Sequence, residues 1–128
     1  MCITVNDNRP VNLDMTTIRL PLPALVSILM RASGVFIFIG MAIMIWLLDL
    51  SLSSPAGFAE AQQVLDSTLV KLVVWAIVSG VIYHAVAGVK HLIADFGIGE
   101  TLEGGILGAR LVLVGSAVLI ALAGIWIW

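Results

Sequence analysis

The residue whose type and position most strongly suggest a chemical role is His84, which follows Tyr83 within the uncharged run Leu72–Val89. An imidazole at that depth of an apolar segment is costly in lipid and usually marks metal ligation, proton transfer or a contact with a partner. Gly80 and Gly88, one turn to either side, place small residues on the same helix face. They indicate either close packing against a neighbouring helix or room for a flat macrocycle ligated by the imidazole.

A serine and an arginine form a second candidate site. Ser27 and Arg31 are four residues apart, so their side chains project from one helix face. An arginine keeps its charge at working pH, and with a hydroxyl beside it can bind a carbonyl oxygen and stabilise negative charge that develops there. A lipid-soluble quinone is a substrate that fits such a pocket. A simpler interpretation is that Arg31 reaches the lipid headgroups while Ser27 bonds its own helix backbone.

The spacing of the two histidines limits how a haem would be held. His84 and His91 are seven residues apart, about 10 Å along one helix face. Axial ligands approach iron from opposite sides, and the chain has no other histidine. A bis-histidine haem would therefore take its second ligand from another polypeptide, which predicts a partner subunit or a second copy. His91 and the adjacent Lys90 are expected at the membrane surface, in contact with headgroups or with a haem propionate.

The composition indicates that most of the chain lies in a membrane. Hydrophobic residues make up 61% and charged residues 11% of its 128 residues, and the mean hydropathy is +1.15. Cys2 is the only cysteine, which excludes an internal disulfide and an all-cysteine iron–sulfur cluster. Without a basic stripe, nucleic acid is not an expected partner. Three uncharged runs each approach the roughly 20 apolar residues that a membrane span requires: Ala32–Leu48, Leu72–Val89 and Leu111–Trp128.

These patterns predict an all-α membrane protein with three transmembrane helices, part of a heteromeric helix bundle. A cytoplasmic N-terminal segment, 1–23, would precede a transmembrane anchor domain, 24–128. Prolines at positions 21 and 23 mark the start of the first helix. Ser54-Pro55 in the first loop predicts a short helix on the membrane surface. The three spans are predicted at about 24–48, 67–93 and 106–128.

The basic residues are distributed unevenly over the two sides of the membrane. Only Lys71 of the six falls on the side opposite the N-terminus. Such an excess favours a cytoplasmic N-terminus and a periplasmic C-terminus, and all four tryptophans then approach the outer interface. We therefore expect a multi-pass protein of the bacterial inner membrane, made without a removable leader.

This topology brings the two candidate sites to one depth. Arg31 would lie about 10 Å and His84 about 13 Å from the cytoplasmic ends of their helices. A haem on His84 would then lie beside the pocket formed by Ser27 and Arg31, so Arg31 is expected to bind the haem together with His84 and His91. Asp95 and Glu100, in the predicted second loop at 94–108, are expected on the same side. They are interpreted either as solvated carboxylates or as groups that deliver the protons consumed by quinone reduction.

Three segments of the chain, which occur in order over nearly its whole length, are RPVNLD (9–14), SILMRASG (27–34) and HAVAGVKHLIADFG (84–97). They resemble the succinate dehydrogenase cytochrome b subunit family, the larger of the two membrane anchors of bacterial complex II. The resemblance implies that His84 is one axial ligand of haem b, with the second from the small anchor subunit. It also implies that Ser27 and Arg31 line the ubiquinone site beside the iron–sulfur subunit. A separate flavoprotein subunit would oxidise succinate, so the isolated chain would not be an enzyme.

The chain departs from the family pattern at three positions. Met30 stands where family members usually have histidine, Lys90 where they usually have arginine, and Ala94 where an aromatic residue or methionine usually precedes the aspartate. Met30 removes a hydrogen bond to a propionate or quinone. Lys90 keeps the charge but loses the bidentate fork of a guanidinium. None of the three changes the expected haem ligand or the serine–arginine pair.

Two other classes are compatible with the residues alone. A haem-free transporter or channel subunit would use the arginine and the histidine for ions or protons, although the chain lacks the internal repeat common in transporters. A scaffold protein would use its polar side chains only to hold helices together.

Overall fold

The computed structural model of the chain describes residues 18–128. Four α-helices follow one another in that range, which contains no strand. Three helices, of 32, 28 and 26 residues, are long and apolar enough to cross a membrane. The predicted all-α membrane fold with three membrane-spanning helices is therefore confirmed. In chain order the helices are α1 (Leu22–Ser53), α2 (Pro55–Asp66), α3 (Thr68–Asp95) and α4 (Leu102–Ile127).

The start of α1 follows the two prolines. Pro21 has an extended backbone and precedes the helix, and Pro23 lies in its first turn, where a missing N–H leaves no bond unmade. Most of the segment predicted for 1–23, with Cys2 and the RPVNLD motif, lies outside the described residues.

The helices extend beyond the predicted spans, because an apolar run marks only the part of a helix inside hydrocarbon. α1 ends at Ser53 rather than 48, so it is about 48 Å long against a hydrocarbon core of about 30 Å. α4 begins at Leu102 rather than 106. Its N-terminus is capped by Thr101, whose Oγ1 accepts a hydrogen bond from Gly104 N at 3.1 Å. The predicted second loop is thereby reduced to residues 96–101.

The short helix predicted in the first loop is confirmed as α2. Ser54 is its N-cap, and the Ser54 Oγ accepts a hydrogen bond from Gly57 N at 3.0 Å. Gly57 is required because a Cβ at this position would lie 2.5 Å from the Leu50 carbonyl oxygen. At the other end, Lys71 Nζ lies 3.9 Å from Asp66 Oδ1. The location of α2 on the membrane surface stays a prediction.

The three long helices pack through small residues at one end and through an indole at the other. Val26, Ala87, Ala109 and Val112 form a buried cluster near the end of the bundle where α1 begins. Toward the opposite end, Trp75 Nε1 donates a hydrogen bond to the Ile120 carbonyl oxygen at 3.0 Å. The Trp75 ring also meets the ring of Trp128 edge-on, with centroids 6.3 Å apart. The bundle is therefore anchored at both ends, and the candidate site lies between the anchors.

Candidate functional site

His84 lies on the face of α3 that packs against α1, and its side chain is half-buried. Its Nδ1 is 3.1 Å from the Met30 carbonyl oxygen and 3.1 Å from Ser33 Oγ. The ring can approach this closely because α1 has a glycine at position 34: a Cβ on Gly34 would lie 3.3 Å from His84 Cε1. The imidazole is thus held by the backbone and a hydroxyl of the neighbouring helix.

The contact with the Met30 carbonyl oxygen indicates which ring nitrogen of a neutral imidazole carries the proton. A carbonyl oxygen only accepts hydrogen bonds, so Nδ1 of a neutral His84 must be the donor to Met30. The second nitrogen, Nε2, then carries a free lone pair. This tautomer, with one N–H held by an acceptor and the other nitrogen free, is the form in which histidine ligates a metal.

Side chains of α1 fill the space beside the two glycines that flank His84. A Cβ on Gly80 would lie 2.9 Å from Phe36 Cδ1, and one on Gly88 would lie 3.6 Å from Met30 Cε. Of the two explanations for this stripe, the structure shows close helix packing at both positions. Any ligand of His84 therefore has to reach Nε2 from a side of the ring that α1 leaves open.

Arg31 lies at the same level of the bundle as His84, and Ser27 lies one helical turn closer to the start of α1. The imidazole contacts Met30, Ser33 and Gly34, the residues that bracket Arg31 on α1. The expected match in depth is therefore found to within one helical turn. Arg31 is exposed and Ser27 is half-buried. Neither of them forms a hydrogen bond with His84 in the described part of the chain.

The face of α1 that carries Ser27 and Arg31 points away from α4. Both belong to one stripe of α1 residues, which are spaced alternately four and three positions apart. The stripe consists of Ser27, Arg31, Gly34, Phe38 and Met41. Met41 lines a groove of about 170 Å³ formed only by α1 and α3 residues. The α4 side of α1 instead faces a separate groove of about 460 Å³, to which α4 contributes Leu113. The serine–arginine pair and the groove beside α3 thus share a face that this chain leaves open.

The other predicted site residues are spread over the end of the bundle where α1 begins. His91 Nδ1 lies 2.8 Å from the Ala87 carbonyl oxygen of its own helix. Lys90 points toward α4, because a Cβ on Gly108 would lie 3.4 Å from its Cε. Asp95 ends α3 and Glu100 lies in the following loop, both exposed. Among residues 18–128, none of these side chains forms a hydrogen bond with His84.

Two residues at the site were not predicted to have a role there. Ser33 contacts the imidazole directly, and Tyr83 donates a hydrogen bond from Oη to the Val26 carbonyl oxygen at 3.0 Å. Tyr83 directly precedes His84, and the side chains of both residues bond carbonyl oxygens of α1. Ser33 is 51 residues from His84 in sequence, and no spacing rule joins positions so far apart.

Comparison with known proteins gives a consistent result over almost the whole chain. Residues 5–123 match the family model described as succinate dehydrogenase/fumarate reductase transmembrane subunit. The succinate dehydrogenase cytochrome b556 subunit of Coxiella burnetii is 39% identical over 125 residues, which cover 97% of this chain and 100% of that protein. The subunit of the same name from Paracoccus denitrificans is 33% identical, covering 90% of this chain and 88% of its own.

A third protein of that name, from Rickettsia conorii, is 27% identical over 96% of this chain. The match to the family model includes all three membrane-spanning helices down to residue 123, together with both candidate sites. The chain is therefore a multi-pass membrane protein that belongs to the family of succinate dehydrogenase/fumarate reductase transmembrane subunits.

Proposed function

We propose that this chain is the large membrane anchor of a succinate dehydrogenase complex, in which it holds haem b through His84 and forms part of the ubiquinone-reduction site. The observation that carries the proposal is the position of His84 between α1 and α3, where its Nδ1 faces the Met30 carbonyl oxygen of the neighbouring helix and its Nε2 is free to ligate. Relatives that cover nearly the whole chain are named cytochrome b556 subunits, which supports a b-type haem.

The residues around His84 suit a haem with one ligand from this chain. His91 lies on the same helix as His84, seven residues further along, so the two side chains could not approach one iron from opposite sides. The second axial ligand would come from the small anchor subunit, bound against the open face of α1 and α3. His91 would lie on the propionate side. When bound, the haem would accept and release one electron at a time.

Ser27 and Arg31 would bind the carbonyl oxygen of ubiquinone. The guanidinium is a permanent cation with five N–H donors, so it stabilises the negative charge that a quinone oxygen acquires on reduction. The serine hydroxyl adds a donor one turn away on the same face. Their level in the bundle, within a turn of His84, would keep the quinone within electron-transfer reach of the haem.

The proposed partners follow from the family to which the chain belongs. Electrons would arrive from the iron–sulfur subunit on the cytoplasmic side, supplied by a flavoprotein subunit that oxidises succinate. We place the N-terminus in the cytoplasm and the C-terminus in the periplasm, because basic residues favour the cytoplasmic side of a bilayer. In that orientation Asp95 and Glu100 face the cytoplasm, where they would deliver protons to the quinone.

The experiment that tests the proposal is a reduced-minus-oxidised visible spectrum of membranes that contain the chain with its neighbouring anchor subunit. We expect a sharp b-type α-band that disappears or weakens strongly in His84→Leu. His91→Leu is the matched comparison, because it removes the other imidazole of the same helix, and it should keep the band because a contact with a propionate is not a bond to iron. A wild-type pair that is well expressed without a haem band would favour a haem-free transporter, channel or scaffold subunit instead.

A further inference from the structure

Ser33 differs from the other serines that bond the backbone of their own helix. The Oγ atoms of Ser51, Ser53 and Ser79 each donate to a carbonyl oxygen three or four residues earlier, at 2.6–2.8 Å. Ser33 does the same to the Met30 carbonyl oxygen, at 2.6 Å. Its oxygen also lies 3.1 Å from Nδ1 of His84 on another helix. The backbone bond is ordinary for a helix serine, whereas the contact with the imidazole requires its own explanation.

The hydrogen positions in this group follow from what each atom can donate. The Ser33 hydroxyl has one hydrogen, which is directed to the Met30 carbonyl oxygen by the short bond of 2.6 Å. Its lone pairs are then free to accept. Since Nδ1–H of His84 lies equally far from Oγ and from the carbonyl oxygen, it is shared between two acceptors. The three polar atoms form one closed arrangement in which each hydrogen has an acceptor.

We propose that Ser33 is a positioning residue for the haem ligand: its hydroxyl accepts from Nδ1–H of His84, orients the imidazole and strengthens electron donation from Nε2 to iron. The inference rests on the proposed haem ligation by His84 and extends it to a residue that touches neither iron nor quinone. A histidine whose free N–H is bonded to an acceptor is a more basic ligand. Stronger donation stabilises ferric iron over ferrous iron, so the Ser33 contact lowers the reduction potential of the haem.

The surroundings of Ser33 allow a substitution that changes only its chemistry. Ser33 lines the open groove of about 460 Å³ between α1 and α4, so one side of the residue is not packed against a neighbouring helix. Threonine keeps the hydroxyl and adds one methyl group. Valine has the same shape as threonine but replaces the hydroxyl with a second methyl, which cannot accept a hydrogen bond. A comparison of the threonine and valine variants therefore separates the effect of the hydrogen bond from the effect of side-chain packing.

The test is a redox titration of haem, followed by its α-band, in complexes carrying Ser33→Thr or Ser33→Val. We expect Ser33→Thr to keep the wild-type midpoint potential and Ser33→Val to shift it to a more positive value, with haem retained in both. Ser79→Ala is the matched control, because it removes a helix serine whose oxygen bonds only its own backbone. It should leave the potential unchanged.

The outcomes distinguish this inference from the proposed function. Equal potentials in the threonine and valine variants, with haem still lost in His84→Leu, would overturn the role of Ser33 alone. A b-type band that persists in His84→Leu would overturn both the ligand and its positioning residue. If Ser33→Val fails to assemble, Ser33→Ala provides the same comparison with a smaller side chain, and a wild-type potential in that variant would also overturn the inference.

Discussion

Tyr83 and Met30 face each other across the antiparallel pair of helices α1 and α3. The Tyr83 hydroxyl donates to the Val26 carbonyl oxygen, one turn before Met30 on α1. The Met30 carbonyl oxygen in turn accepts from His84, the residue that follows Tyr83 on α3. Two consecutive side chains of α3 thus bond two carbonyl oxygens of α1 that are four residues apart. Such a pair of contacts limits both the rotation of α3 about its axis and its shift along α1. The imidazole is oriented by the helix pair as well as by its own environment.

Removal of the Tyr83 hydroxyl should loosen this arrangement. Tyr83→Phe deletes one interhelical hydrogen bond and keeps the ring, so the expected cost is about 0.5–1 kcal/mol. We expect haem to be incorporated but released at a lower temperature, measured by the thermal loss of the Soret band in purified complex. Unchanged thermal stability would mean that the hydrogen bond does not contribute to the α1–α3 contact.

The glycine at position 34 should be sensitive to the size of its replacement. A Cβ would lie 3.3 Å from His84 Cε1, so alanine forces the ring to shift by a few tenths of an ångström and leucine displaces it. We expect lower haem content for Gly34→Ala and little or none for Gly34→Leu, measured as haem per complex. Gly115→Ala is the control, because nothing lies within 4 Å of a Cβ there. Normal haem content in Gly34→Leu would show that His84 does not need this contact.

The charge of Arg31 should be needed for quinone reduction and not for haem binding. Arg31→Ala should lower the rate of quinone reduction about tenfold or more, since it removes the donors that stabilise the developing charge. The b-type spectrum should persist. Arg31→Lys should retain part of the activity, because it keeps the charge without the planar fork.

Arg110 supplies the control for this experiment, because it is an exposed arginine on α4. Arg110→Ala should reduce quinone at a rate close to wild type. Normal turnover in Arg31→Ala would return Arg31 to the interpretation in which it only reaches lipid headgroups.

Proton delivery by the second loop would be revealed by a modest change in rate. Glu100→Gln keeps the size of the side chain and removes its ability to release a proton, so we expect turnover with quinone to fall by about two- to fivefold. Glu60→Gln, on the exposed surface of α2, is the control. Identical rates in both variants would identify Glu100 as a solvated loop carboxylate.

The three membrane spans and the capped start of α2 could be predicted because their signals are local. Uncharged runs of sufficient length mark the spans, and Ser54-Pro55 has the residue types of a helix start. The four residues by which α4 precedes its predicted span carry no such signal, since the third position after Thr101 is Gly104 rather than the glutamate or glutamine of a capping box.

The depth shared by Arg31 and His84 could also be predicted, since it follows from helix rise and antiparallel topology. The acceptors that hold His84 and Tyr83 could not. They are main-chain carbonyl oxygens, and every residue carries one, so no residue type marks Met30 or Val26 as a partner. Helix rotation selects them, and rotation depends on packing over the whole α1–α3 contact.

Main-chain acceptors also have an evolutionary consequence. Because the Met30 contact with His84 is made by the carbonyl group, substitution of the side chain at this position leaves the acceptor in place. The methionine that stands where members of the resembled family usually have histidine therefore need not disturb the imidazole of α3. A site supported by main-chain groups therefore tolerates changes of side chain at the supporting positions. Gly34 is different, because an added Cβ would lie 3.3 Å from His84 Cε1, and we expect this position to accept few replacements.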